Sequence, residues 1–233
     1  MRYLIVLLLA CRAFATIGSS PLHTASGVIG SGNSTGTFTI TTPTQGNILL
    51  LLGNGFGGTA QYVSAVATTN VTWTNISSGG TSSNAPSLWC GAVGASPGTS
   101  VAVMQNAAST ANNRYLVFEW TGAQCGQNDA SPVLNSTTTG TTTFATGSIT
   151  PTAGQNVLLI FIGSSAGWSG SPSNGFLTES PSGNNFAGGY LVVSSASGAY
   201  SSTWTQSNGV FGNVIAEFTA PSAAPSAVPA QVY

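Results

Sequence analysis

Two stretches of this chain say nearly the same thing, and they limit what it can fold into. Pro43-Thr44-Gln45-Gly46-Asn47 opens onto Ile48-Leu49-Leu50-Leu51-Leu52, and Pro151-Thr152-Ala153-Gly154-Gln155-Asn156 opens onto Val157-Leu158-Leu159-Ile160-Phe161-Ile162. A short apolar run bounded by turn residues reads as a strand buried on both faces. In a two-sheet sandwich each strand should instead alternate, apolar inward and polar outward. Neither run alternates, and neither does Tyr115-Leu116-Val117-Phe118. Their outward side chains need cover from a loop, an extra strand or another copy of the protein.

The flanks of the two runs also correspond. Val117-Phe118-Glu119-Trp120-Thr121 matches Ile215-Ala216-Glu217-Phe218-Thr219, and the turn Ala95-Ser96-Pro97-Gly98 matches Ser195-Ala196-Ser197-Gly198. The copies lie 108 residues apart at the prolines (43 and 151) and 98 apart at the glutamates (119 and 217), so loops shorten through the second copy. Two copies are too few for a solenoid. Strands are expected at 37–41, 47–52, 63–66, 71–75, 88–93, 101–104 and 115–120. The second half adds 142–146, 147–150, 157–162, 176–179, 189–193, 201–205 and 214–219, with Gly, Ser, Asn and Pro clusters between them. No stretch carries a capped helical period. The expectation is an all-β, antiparallel two-sheet β-sandwich over residues 27–220, internally duplicated as 27–122 and 133–220. The alternative is two tandem immunoglobulin-like sandwiches joined by a linker near residues 125–131.

Charge excludes one class of partner. Only 3% of the 233 residues are charged, namely Arg2, Arg12, Arg114, Glu119, Asp129, Glu179 and Glu217, and there is no lysine. A phosphate backbone needs clustered cations, so nucleic acid is excluded. Near-zero net charge favours self-association. Solubility must come from Ser, Thr, Asn and Gly, and from glycans if the sequons at Asn33, Asn70, Asn75 and Asn135 are used. With few titratable groups, stability should depend weakly on pH down to acid.

The ends suggest export. Residues 1–15 have the form of a signal peptide: Arg2, an apolar stretch from Tyr3 to Ala10, and Ala13-Phe14-Ala15 as a cleavage site. Leu8-Leu9-Ala10-Cys11 offers lipidation at Cys11 as the alternative. The apolar stretch is too short to span a bilayer, so no transmembrane segment is expected. Residues 16–26 read as a flexible leader or an edge strand, with the single histidine, His23, lacking nearby ligand partners. Residues 221–233 are rich in Pro and Ala, which favours an extended segment.

Chemistry finds little to work with. In an exported chain Cys90 and Cys125 read as a disulfide. Glu119 and Glu217 occupy matching places, where repeat symmetry explains them without catalysis. Strand alternation would turn both toward solvent, and a glycoside hydrolase would need them in one cleft. Asp129 stands alone, no His/Cys cluster or phosphate-cradling loop is present, and no metal, cofactor or catalytic residue is expected. Trp89 and Trp120 read as core. Trp168, in a Gly/Ser-rich stretch, is the candidate for a ligand or interface.

The Pro-Thr-x-Gly-Asn strand, Ser87-Leu88-Trp89, Glu119 in an apolar final strand, and Gly198-Ala199-Tyr200-Ser201-Ser202-Thr203-Trp204-Thr205 together resemble a family of exported bacterial β-sandwich domains similar to concanavalin-like jelly rolls. The resemblance covers about residues 27–220 and implies a jelly-roll-like sandwich in secreted and surface proteins, with no active site to carry over. The expected function is a secreted or cell-surface structural protein, a self-assembling subunit of a filament or surface layer. The alternative is a glycan-binding or adhesion module centred on Trp168.

Overall fold

The computed structural model describes residues 16–56, 61–79, 84–126, 131–165, 168–169, 171–179 and 186–221. The described regular structure is entirely β. The strands are β1 (His23–Ile29), β2 (Thr35–Thr39), β3 (Ile48–Phe56), β4 (Val63–Ala67), β5 (Val71–Ser78), β6 (Asn84–Val93), β7 (Ser100–Gln105), β8 (Asn113–Trp120), β9 (Val133–Ala145), β10 (Val157–Ser165), β11 (Trp168–Ser169), β12 (Leu177–Glu179), β13 (Phe186–Val193) and β14 (Thr203–Thr219). Every pairing is antiparallel.

The first half is a sandwich in its own right. Its larger sheet has five strands ordered β1-β8-β3-β6-β5, and its smaller sheet has three ordered β2-β7-β4. The chain therefore crosses between sheets as it advances, the winding of a jelly roll. The second half repeats the larger sheet strand for strand: β9-β14-β10-β13-β12. Glu119 lies opposite Leu49, and Glu217 opposite Leu159, so the duplication extends to register.

The copies differ where turns were lost. The first half breaks β1 from β2 and β7 from β8, whereas β9 runs for 13 residues and β14 for 17. β14 pairs β10 from Phe211 to Thr219, but pairs β11 at Thr205 and Gln206, with register shifts against β9 in between. Such irregularities bend a strand. Trp204 precedes Ile215, the partner of Phe161, by eleven residues, which a straight strand would stretch to about 36 Å. Its ring nonetheless lies 3.9 Å from that of Phe161. The start of β14 has folded over the outer face of β10, taking the place that β7 has over β3.

This layering answers the question posed by the apolar runs. Leu50, Leu52, Leu116, Phe118 and Trp120 face one way and meet Leu158, Ile160, Val214, Ala216 and Phe218 of the other half in one cluster. Leu49, Leu51, Tyr115 and Val117 face the other way and are covered by Val101 and Val103 of the smaller sheet. In the second half Val157, Leu159 and Phe161 are covered by Phe144, Phe176, Ala196 and Trp204. The two large sheets thus pack back to back, and each is roofed by its own half. The sandwich expectation holds, but the layers number more than two, and the cover comes from within the chain rather than from a neighbour. Each fully buried Leu or Phe contributes about 1.5–3 kcal/mol.

Close approach and chain direction explain three glycines. A Cβ at Gly188 would lie 2.7 Å from Leu52 and 3.2 Å from Leu116 across the central interface. Gly46 has φ +87°, with its amide donating to the Val93 carbonyl at 3.0 Å, and Gly154 (φ +83°) repeats this with Ala196 at 2.9 Å. The repeated Pro-Thr-x-Gly turn therefore clips the start of each central strand to chain lying at or just beyond the end of the next strand.

Candidate functional site

Glu119 is the chain's most elaborated polar group. It sits near the end of β8, whose neighbours carry it into the interior, and is 1% exposed. One carboxylate oxygen accepts from the Thr44 amide at 2.8 Å and from Asn47 Nδ2 at 2.6 Å. The other lies 2.6 Å from His23 Nδ1, on β1. Burial pushes the carboxyl upward, but the bonds from His23, the Thr44 amide and Asn47, with the His23 charge, outweigh it and hold Glu119 below the ordinary carboxylate range. The alternation argument that turned Glu119 toward solvent is overturned, because the smaller sheet buries that face. His23 likewise has a partner, 96 residues away in the chain.

The geometry makes this a structural knot. Glu119 ties the Pro-Thr-x-Gly-Asn turn to β1 and β8. The hollow above it, lined by Thr24, Ile40, Thr41 and Leu49, holds about 10 Å³, room for one water at most. Glu217 is also buried, at 0% exposure. Residues next to both glutamates, Phe118 and Phe218, face the central cluster, so Glu119 and Glu217 point away from it on opposite sides of the molecule. They share no cleft, and the two-carboxylate arrangement of glycoside hydrolysis is not formed. Among the described residues no three His, Cys, Asp or Glu side chains gather as metal ligands. Asp129 lies outside the described residues.

Cys90 and Cys125 form a disulfide with Cα atoms 5.6 Å apart. It joins β6 to the chain just past β8, beside the central cluster, and closes the connection between the halves on the first half. Trp89 and Trp120 are buried. The backbone of Trp168 is not looped out but paired in β11, opposite Gln206. Of the sequons, Asn33, Asn70 and Asn75 are exposed. Asn135 is half-buried in β9, its Nδ2 donating to the Ala145 carbonyl at 3.0 Å.

The surface is the more distinctive site. Among described side chains the charged ones are Arg114, partly buried, and the buried Glu119 and Glu217. The outer face of the smaller sheet presents Thr35, Thr37, Thr39, Ser100, Ala102 and Met104. The edges of the five-stranded sheet are β1 and β5, with Thr24, Ser26 and Val28 exposed on one and Thr72, Thr74 and Asn75 on the other. Neither edge carries a Lys, Arg, Asp, Glu or Pro. No helix among the described residues is long and apolar enough to cross a membrane.

No known protein family, curated protein or solved structure matches the chain. Sequence reasoning missed the His23–Glu119 pair, although one signal pointed to it. A glutamate repeated at the same place in a chain nearly free of charge calls for a buried partner set, and the repeated turn supplies it.

Proposed function

We propose that the chain is an exported structural protein that associates with copies of itself by pairing the open edges of its sheets, building a filament or surface layer. One observation carries the reading: β1 and β5 are edge strands seven and eight residues long that carry no Lys, Arg, Asp, Glu or Pro. Sheet proteins ordinarily blunt such edges with charged residues, lysine above all, or proline. The nearly charge-free surface adds no repulsion between copies. The disulfide is compatible with an oxidising, extracellular setting.

The internal roofing of both large sheets shapes this proposal. Association does not have to hide an apolar face, so backbone pairing at edges is its driving contact. Thr72→Lys with Thr74→Lys on β5, and Thr24→Lys with Ser26→Lys on β1, place cations on exposed positions without touching the core. Light scattering should show that at least one pair of substitutions lowers the assembled mass. Assembly unchanged by both pairs would refute edge pairing.

A further inference from the structure

The order of the five-stranded sheet fixes the direction of its edges. Starting from β1, strand direction reverses at β8, at β3, at β6 and at β5, because each of these pairings is antiparallel. An even number of reversals leaves β1 and β5 running the same way. Among the described residues neither has a strand on its outer side, and neither carries Lys, Arg, Asp, Glu or Pro. The two faces between these edges differ. Leu49 and Leu51 lie under Val101 and Val103 of the smaller sheet, whereas Leu50 and Leu52 meet Leu158 and Ile160 of the second half.

Direction and faces together limit how a second copy can add. If β1 of one copy met β5 of the next with the same face up, the new pair would be parallel, the less stable ladder, in a sheet that is otherwise antiparallel. Turning every second copy over would make that pair antiparallel. It would also set the smaller sheet of one copy beside the second half of its neighbour. A two-fold axis perpendicular to the sheet does neither. It brings β1 to β1, or β5 to β5, antiparallel and with like layers side by side. Self-complementary two-fold contacts are also the commonest in assemblies of identical chains. Resting on the edge pairing proposed above, we infer that the partner of each edge is the same edge of a second copy, with β1–β1 and β5–β5 contacts alternating along the assembly. Each contact is complete in itself, so an assembly cut at one kind of contact falls into dimers held by the other.

The test is the mass of the full chain and its variants by light scattering. Thr24→Lys with Ser26→Lys sets cation against cation wherever β1 meets β1, and should leave dimers joined through β5. Thr72→Lys with Thr74→Lys should leave dimers joined through β1, and all four substitutions together should leave single chains. Mixing the β1 lysine variant with an equal amount of Thr24→Glu with Ser26→Glu should restore the mass of the unsubstituted assembly, since opposite charges then face each other. That recovery also shows that both variants are folded. Any stopping point other than a dimer for either two-site lysine variant would overturn same-edge pairing. So would a mass restored by Thr72→Glu with Thr74→Glu in place of the β1 glutamates, and both results leave edge pairing itself standing. Single chains in the unsubstituted protein, or masses that no substitution changes, would remove edge pairing and this inference with it.

Discussion

At the scale of single residues, the buried Glu119 makes the sharpest claims. Its carboxyl is held below the ordinary range, so the stability it contributes is fully present above the unfolded-state value of 4.5 and is lost as pH falls through its lower folded value. Thermal unfolding should therefore be nearly flat from pH 7 to about pH 5 and decline only below about pH 4. Glu119→Gln can keep its oxygen on the Thr44 N–H and Asn47 Nδ2 donors, but it removes the charge they serve and turns an amide NH₂ toward His23 Nδ1, and should cost about 1–3 kcal/mol at neutral pH. It should also flatten the acid limb of the melting-temperature profile, a readout that a mere packing defect would leave in place. At Gly188 the prediction is steric. Gly188→Val drives a side chain into Leu52 and Leu116 across the central interface, and denaturant unfolding should show a loss of about 1–3 kcal/mol. The repeated glutamate and the weak pH dependence were legible beforehand, but the burial of Glu119 was not, because which face of a strand is buried depends on what lies above it, and the alternation rule assumes two layers.

At the scale of elements, the sequence was most readable where burial is two-sided. The runs at 48–52, 115–120 and 157–162 are strands because no other short element hides that much apolar surface with its backbone paired. Segment 16–26 resolves toward its edge-strand reading, with β1 beginning at His23. The long strands β9 and β14 escaped, because Gln206-Ser207-Asn208-Gly209 reads as a turn, whereas the structure uses it as the irregular bend of one continuous strand. Residues 147–150 likewise yield only a bridge between Ile149 and Tyr200. The disulfide was readable from compartment and count. It closes a loop of 35 residues, so replacing both Cys90 and Cys125 with Ala should cost about 4 kcal/mol on the chain-entropy account. Chemical denaturation of the oxidised protein and the double variant measures it.

At the scale of the whole molecule, two β halves are joined back to back through one apolar cluster, from Leu50 and Phe118 on one side to Leu158 and Phe218 on the other. Halves that share a core unfold together, so calorimetry should show one transition with calorimetric and van't Hoff enthalpies in agreement; two separated transitions would mean independent domains. The same architecture buries both described carboxylates, and among the described residues the edge strands β1 and β5 carry no Lys, Arg, Asp or Glu. Duplication was readable from the repeated turn, run and glutamate. The back-to-back arrangement was not, since apolar patterning states that both faces are covered without stating by what. The central claim is that this protein associates with itself, and electron microscopy of the chain from Thr16 onward, with light scattering on the same sample, tests it most directly. Regular filaments or sheets, growing with concentration, are the predicted result. A monodisperse monomer at every concentration would contradict it.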